Sequence, residues 1–256
     1  MLVNVTIPVY NEEDILPSSI TALHDFLSTH CRFDWEIVIV DNASVDRTLE
    51  VARQLASHFA GVRFIHLDLK GRGRALKKVW TESAAEILSY MDVDLSSNLF
   101  AFPSLIEALI SGGFDIGIGS RLLKASTTRR SLKREVISRA YNLLVKAFFS
   151  TKFSDAQCGF KAITKKAAEQ LLPKVEDTGW FFDTELLVIA EKLGYRIFDL
   201  PVSWIEDLDT RVRIVPTAVD DIKGLLRVRH NFSKRIYAQK STIPLPPGSP
   251  PPARRS

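Results

Sequence analysis

Apolar positions in the first 120 residues alternate between two rhythms. Residues 2–8 form a short apolar, β-branched run, and a helical pattern follows from Asp14 through Ile15, Ile20, Leu23, Phe26 and Leu27. Residues 36–40 (EIVIV) are a continuous β-branched run, as suits a strand buried on both faces of a parallel sheet. Ser44 or Asp46 can cap the next helix, which carries Leu49, Val51, Ala52 and Leu55. The alternation continues with strands expected over 62–67, 87–93 and 115–120 and helices over 74–83 and 102–110. It specifies an α/β fold, a mostly parallel, Rossmann-like sheet with helices on both faces.

After Ser120 the rhythm breaks. Residues 132–149 form a long basic amphipathic segment with Val136, Ala140, Leu143, Leu144 and Phe148. Strands are expected over 160–164 and 196–202, helices over 165–172 and 183–193, and a basic helix near 219–237. Residues 241–256 hold six of the chain's 12 prolines and read as a disordered tail, which leaves one catalytic-sized domain over 1–238. No apolar run reaches the ~20 residues that span a bilayer. The first residues lack the basic n-region of a signal peptide.

With 46% hydrophobic and 25% charged residues, the chain is neither collagen-like, nor a disulfide scaffold, nor mostly disordered. Cys31 and Cys158 stand far apart and fit neither a disulfide framework nor a zinc ribbon, which points to a reducing compartment. The formal net charge is only +4, but it is unevenly placed. Residues 121–152 hold nine Lys or Arg against Glu135, and residues 211–240 hold eight against Asp220 and Asp221. Basic stretches with so few acidic partners point to phosphates. They lack the interleaved aromatics of a single-strand platform, so nucleic acid is not the expected partner.

Ligands of open α/β sheets bind beyond the carboxyl ends of the strands. Four successive strands here end in polar residues at that edge: Pro8-Val9-Tyr10-Asn11-Glu12, Asp41-Asn42-Ala43-Ser44, Lys70-Gly71-Arg72-Gly73 and Asp92-Val93-Asp94. Their convergence favours a nucleotide. Leu76 stands where a dinucleotide fingerprint needs its third glycine, and no Gly-Lys-Ser/Thr is present, so hydride and Walker-type chemistry are disfavoured. On an extended strand Asp92 and Asp94 share one face. Two carboxylates with few other ligands suit Mg²⁺ or Mn²⁺, whose shell a diphosphate and water complete. His24, His30, His58, His66 and His230 are scattered and read as surface or helix-face residues.

These motifs, with Gly119-Ser120-Arg121, Ser154-Asp155-Ala156-Gln157-Cys158-Gly159-Phe160-Lys161 and Trp180-Phe181-Phe182-Asp183-Thr184-Glu185, occur in an order that resembles the family-2 glycosyltransferases of GT-A fold. Within that family they resemble the branch that makes polyprenyl-phosphate sugars, the dolichyl-phosphate glucosyltransferases and mannosyltransferases, over about residues 3–230. The resemblance implies that Pro8, Tyr10, Glu12 and Asp41 hold the donor's base and ribose, that Arg72 and Asp92 lie at the nucleotide, and that Asp92 and Asp94 bind the metal. It implies that Arg121 and Arg134 bind phosphate, with Arg211 or Arg213 as a further candidate. Asn42 replaces the second Asp of the family's second-strand motif, and Ser96 stands where the mannosyltransferase branch often has a Gln. Many relatives carry C-terminal membrane helices, which this chain lacks, so a separate membrane-embedded subunit is a possible partner.

The activity implied is inverting transfer of a hexose from a UDP- or GDP-sugar to a polyprenyl phosphate, at the cytoplasmic face of a membrane. A phosphate oxygen is already ionised at neutral pH, so no general base is needed. Catalysis would rest on positioning, on the metal, and on the guanidinium forks of Arg121 and Arg134. The basic amphipathic segments would lie on anionic lipid as a peripheral contact. A transferase acting on a sugar hydroxyl would instead need a carboxylate base, for which Asp183 or Glu185 are candidates unless they cap the helix that starts there. A non-catalytic nucleotide-sugar or nucleic-acid binder is the remaining alternative.

Overall fold

The computed structural model describes residues 1–129, 131–205 and 214–237. Arg130, Arg211, Arg213 and the 241–256 tail lie outside the described residues. Strands β1 (Leu2–Val9), β2 (Asp34–Asn42), β3 (Val62–Leu67) and β4 (Ile87–Met91) alternate with helices α1 (Leu16–His30), α2 (Thr48–His58) and α3 (Arg72–Glu82). Then follow α4 (Phe102–Ile110), β5 (Ile116–Ser120), β6 (Thr127–Arg129), α5 (Leu132–Phe149), β7 (Phe160–Thr164) and α6 (Lys165–Leu171). The series closes with α7 (Phe182–Lys192), β8 (Ile197–Pro201), β9 (Ser203–Ile205) and α8 (Ile214–Ser233).

Seven strands form one sheet in the order β3-β2-β1-β4-β7-β5-β8. All neighbours pair in parallel except β7, which runs antiparallel to both β4 and β5. The expected parallel sheet is thus interrupted by one reversed strand. That reversal matters for the site, because it brings the start of β7 to the edge where the parallel strands end. Met91 pairs with Phe160, and the Asp92 N–H donates to the Gly159 carbonyl at 3.1 Å.

The sheet is apolar on both faces, as the run in β2 requires. Val38 and Val40 join the core beneath α3, α5, α6, α7 and α8, while Ile37 and Ile39 join the core beneath α1, α2 and α4. The three-residue strands β6 and β9 form a separate parallel pair that the sequence pattern does not reveal. Ser44 does not cap α2: its hydroxyl accepts the Asn11 N–H at 2.9 Å, and Asp46 accepts the Thr48 N–H at 3.0 Å. The loops after β1 and β2 are laced together in this way.

On α5 the buried stripe is Ser138, Asn142, Val145 and Phe149. Leu132, Val136, Ala140 and Leu143 lie at helical spacing on the outside, with Leu132 83% and Leu143 69% exposed. Among the described residues no helix is long and apolar enough to cross a membrane.

Candidate active site

The carboxyl edge of the sheet assembles most of the expected donor residues. Tyr10 follows β1, and the Lys70 ammonium lies over its ring, 3.9 Å from the centroid. Pro8 pairs with Val40 in the β1–β2 ladder, and the Glu12 N–H donates to Thr48 Oγ1 at 2.7 Å. Asp41 is fully buried rather than presented at the surface. Its Oδ2 lies 2.6 Å from His66 Nδ1 and its Oδ1 accepts the Ser44 N–H at 3.3 Å. His66, read from the sequence as a surface residue, is therefore the partner that covers Asp41.

Gly71 has φ +149° and a side chain there would meet the Thr178 carbonyl at 2.4 Å. Gly73 likewise leaves room for Phe182. These glycines let the 178–179 loop close on the start of α3, where its carbonyls accept the Gly73 and Arg74 N–H groups at 3.2 and 3.0 Å. Arg72 is consequently enclosed between the Tyr90 and Trp180 rings, at 4.9 and 5.0 Å from their centroids. Its Nη2 donates to Asp92 Oδ1 at 2.7 Å.

Strand β4 ends at Met91, so Asp92 and Asp94 stand on a turn, not on an extended strand. The Leu95 N–H closes that turn on the Asp92 carbonyl at 3.1 Å, and Leu95 has φ +48°. The same-face geometry expected of a strand does not apply; the two carboxylates meet instead by lining one cavity with Ser96, Ser97, Gly159 and Trp204. Asp94 Oδ1 accepts the Ser96 N–H at 2.9 Å. A side chain at 159 would strike Asp92 Oδ2 at 1.8 Å, so Gly159 makes the space that this carboxylate occupies. The cavity measures about 10 Å³, room for one ion or water but not for a sugar. Partial burial pushes the half-exposed Asp92 carboxyl above its ordinary value, with Asp94 and Asp183 adding to the rise and Arg72 opposing it. Among the described residues no group of three or more His, Cys, Asp or Glu could hold a metal. The donor set is two hard oxygens beside open solvent, which fits a cation that draws its remaining ligands from a diphosphate and water.

Arg121 follows β5 at the same edge, but its fork is taken. Nε and Nη2 donate to the two Asp155 oxygens at 2.7 and 2.9 Å, and the guanidinium lies over Trp204 at 5.4 Å. Burial alone would raise the Asp155 carboxyl; the Arg121 charge and hydrogen bonds outweigh it and hold it below the usual range. The two nitrogens that the resemblance assigns to a phosphate are engaged in this structure by the buried Asp155 carboxylate. Arg134 is half-buried in the first turn of α5.

The two candidate bases are enclosed. Asp183 accepts from the Tyr90 hydroxyl and lies 3.1 Å from the Lys161 ammonium. Glu185 is fully buried, and its Oε2 accepts from the Glu176 and Asp177 N–H groups at 3.2 and 2.7 Å and from Arg227 at 2.8 Å. Neither side chain caps α7. In the sequence Lys161 and Asp155 have no part beyond their motif, and His66 reads there as a surface or helix-face residue. Only Lys161 carried a local signal, a charge inside the apolar run Phe160-Lys161-Ala162-Ile163.

The sequence profile of Glycosyl transferase family 2 matches residues 4–172. The chain belongs to this family. It is 36% identical over 242 residues to Glycosyltransferase AglD of Haloferax volcanii, a match covering 91% of this chain and 39% of AglD. The chain therefore spans about two fifths of that relative's length. It is 32% identical over 257 residues to the dolichyl-phosphate beta-glucosyltransferase of Mus musculus, covering 93% of this chain and 78% of that protein. Glucosyl-3-phosphoglycerate synthase from Mycobacterium tuberculosis, solved with Mn²⁺, UDP-glucose and phosphoglyceric acid, superposes with a TM-score of 0.69 over 90% of this chain and 80% of that one. At 18% identity that likeness speaks to the GT-A fold. As a family-2 member the chain is a glycosyltransferase.

Proposed function

We propose that this glycosyltransferase moves a hexose from a nucleotide sugar to a polyprenyl phosphate, dolichyl phosphate in the terms of its relatives, at the cytoplasmic surface of a membrane. The observation that carries the reading is the state of Asp183 and Glu185. Both are buried, Asp183 against Tyr90 and Lys161 and Glu185 against Arg227 and the 176–177 N–H groups, so neither is presented to a sugar hydroxyl, whereas an ionised phosphate oxygen attacks without a base. Mg²⁺ or Mn²⁺ held by Asp92 and Asp94 would neutralise charge on the leaving diphosphate. Pro8, Tyr10, Glu12 and Arg72 line the nucleotide edge, and Asp41 acts behind His66. Arg134, with Arg211 beyond the described residues, binds the acceptor phosphate, and Arg121 holds the adjoining turn through Asp155.

The outer face of α5 supports the membrane location. Leu132, Val136 and Leu143 are exposed beside Lys133 and Arg139, and α8 adds exposed Ile222 and Leu226 beside Lys223. Apolar side chains set among cations suit the headgroup region of anionic lipid.

Arg134 tests the acceptor. Arg134→Ala should lose roughly ten- to a hundredfold in transfer to dolichyl phosphate while nucleotide binding stays unchanged, the cost of one charge-assisted phosphate contact. Arg134→Lys should recover part of the loss, since it keeps the charge without the fork. Unchanged transfer by Arg134→Ala would contradict this assignment.

A further inference from the structure

Behind the Asp92–Asp94 turn, Arg72, Lys161 and Asp183 are packed with almost no access to water. Lys161 rises from β7 where the strand pattern calls for an apolar residue, and its side chain is 2% exposed. Its ammonium lies 3.1 Å from Asp183 Oδ1 and 3.2 Å from the Tyr90 oxygen, and Tyr90 donates to the same Asp183 oxygen. The other oxygen, Asp183 Oδ2, faces Arg72 Nε at 3.7 Å, beyond hydrogen-bond reach. That Nε is buried and has no hydrogen-bond partner, while Nη2 of the same guanidinium holds Asp92. One guanidinium is thus drawn toward two carboxylates and satisfies one of them. A buried donor of a charged group is costly to leave unpaired, so a small change in either carboxylate's pull should redistribute it.

We propose that Asp183 and Lys161 are positioning residues that set how strongly Arg72 neutralises Asp92, and thereby the affinity of the Asp92–Asp94 turn for a divalent cation. This rests on the cation being bound at that turn. Arg72 and the cation draw on the same carboxylate. Asp183 pulls Arg72 away from Asp92, and Lys161 weakens that pull by engaging Asp183 itself. The two residues therefore act with opposite signs. In Asp183→Asn, Arg72 leans wholly on Asp92 and cation binding weakens. In Lys161→Met, a change that keeps an unbranched apolar stem and removes the ammonium, Asp183 takes Arg72 and cation binding tightens.

The test is calorimetric titration of Mn²⁺ into the full chain in the presence of saturating UDP, or of GDP if UDP does not bind. Thermal melting of each variant checks that it is folded. Neighbouring charges of this kind move a carboxylate's ion affinity by about tenfold or more, so Asp183→Asn should bind Mn²⁺ about tenfold more weakly and Lys161→Met about tenfold more tightly. In an Arg72→Gln background both effects should shrink below about threefold, because the residue that couples them is gone. If Asp183→Asn does not fold, the tightening by Lys161→Met and its loss with Arg72→Gln decide alone. Lower melting temperatures with unchanged Mn²⁺ affinity would mean that the cluster only stabilises the fold, and would overturn the proposal. Undiminished effects in the Arg72→Gln background would also overturn it. A wild-type chain that binds no Mn²⁺ with either nucleotide would overturn the cation reading itself, whereas normal wild-type binding with unmoved variants sinks only this inference.

Discussion

Asp92-Val93-Asp94 and Asp183-Thr184-Glu185 place paired carboxylates at the same spacing, and the fold uses them in opposite ways. The first pair stands on a turn beyond β4, and the Asp92 side chain is 41% exposed. The second opens α7, where Asp183 is 5% exposed and Glu185 is fully buried. The turn keeps oxygens turned to a small cavity, whereas the helix start surrounds its carboxylates with Lys161, Tyr90, Arg227 and backbone N–H groups. What separates the two pairs is therefore how completely the fold encloses them, not whether they carry hydrogen bonds. The contrast can be broken or sharpened by substitution at each place.

The largest effect is expected at the turn. Asp94→Ala should lower transfer by roughly a hundredfold or more, the scale of losing a group that stabilises developing charge, with an unchanged melting temperature. A folded variant turning over near the wild-type rate would remove Asp94 from the chemistry. Asp155→Asn comes next, as a stability loss. It leaves the buried Arg121 charge without its partner, which costs about 3–5 kcal/mol. Because the folded Asp155 carboxyl is held low, its contribution is present above the ordinary Asp value and is lost as pH falls through the depressed one. The stability gap between wild type and Asp155→Asn should accordingly be full at pH 7 and narrow below about pH 3.9 in acid denaturation.

At the helix start the expected effects are smaller and of another kind. Glu185→Gln should cost about 1–3 kcal/mol through the Arg227 pairing and the 176–177 turn, while turnover per folded molecule stays at the wild-type level. Loss of turnover with stability retained would restore Glu185 as a base. The smallest effect is expected on the outer face of α5. Leu143→Ser should change stability by less than about 0.5 kcal/mol but weaken sedimentation with anionic vesicles about three- to tenfold, since partial immersion of one Leu is worth about 1 kcal/mol. Equal vesicle binding would mean that this face does not meet lipid.

Much of the framework was legible because it depends on local pattern. The β-branched run of β2 and the alternation through Ser120 identify the sheet and its helices, and four polar strand ends mark the edge where the candidate site forms. The direction of β7 was not legible, since a five-residue strand carries no mark of whether its neighbours run with or against it. The strands β6 and β9 are too short to stand out. The turn at Asp92 was misread as strand because its apolar neighbour Val93 continues the pattern of Ser89-Tyr90-Met91. The contacts Arg121–Asp155, His66–Asp41 and Lys161–Asp183 join residues 34, 25 and 22 positions apart. Such pairings depend on how elements pack, and no spacing along the chain announces them. That is why Asp183 reads as a candidate base or a helix cap in the sequence and as a held counter-ion in the structure.

The central claim is that the hexose goes to a phosphate oxygen. The direct measurement is to incubate the chain with Mn²⁺, a panel of UDP- and GDP-hexoses, and dolichyl phosphate beside hydroxyl-bearing glycan and glycolipid acceptors, and to identify the products by mass. The predicted result is a hexose in phosphodiester linkage on dolichyl phosphate, dependent on the divalent cation. A hexose found on the hydroxyl acceptors, with dolichyl phosphate untouched, would contradict the claim.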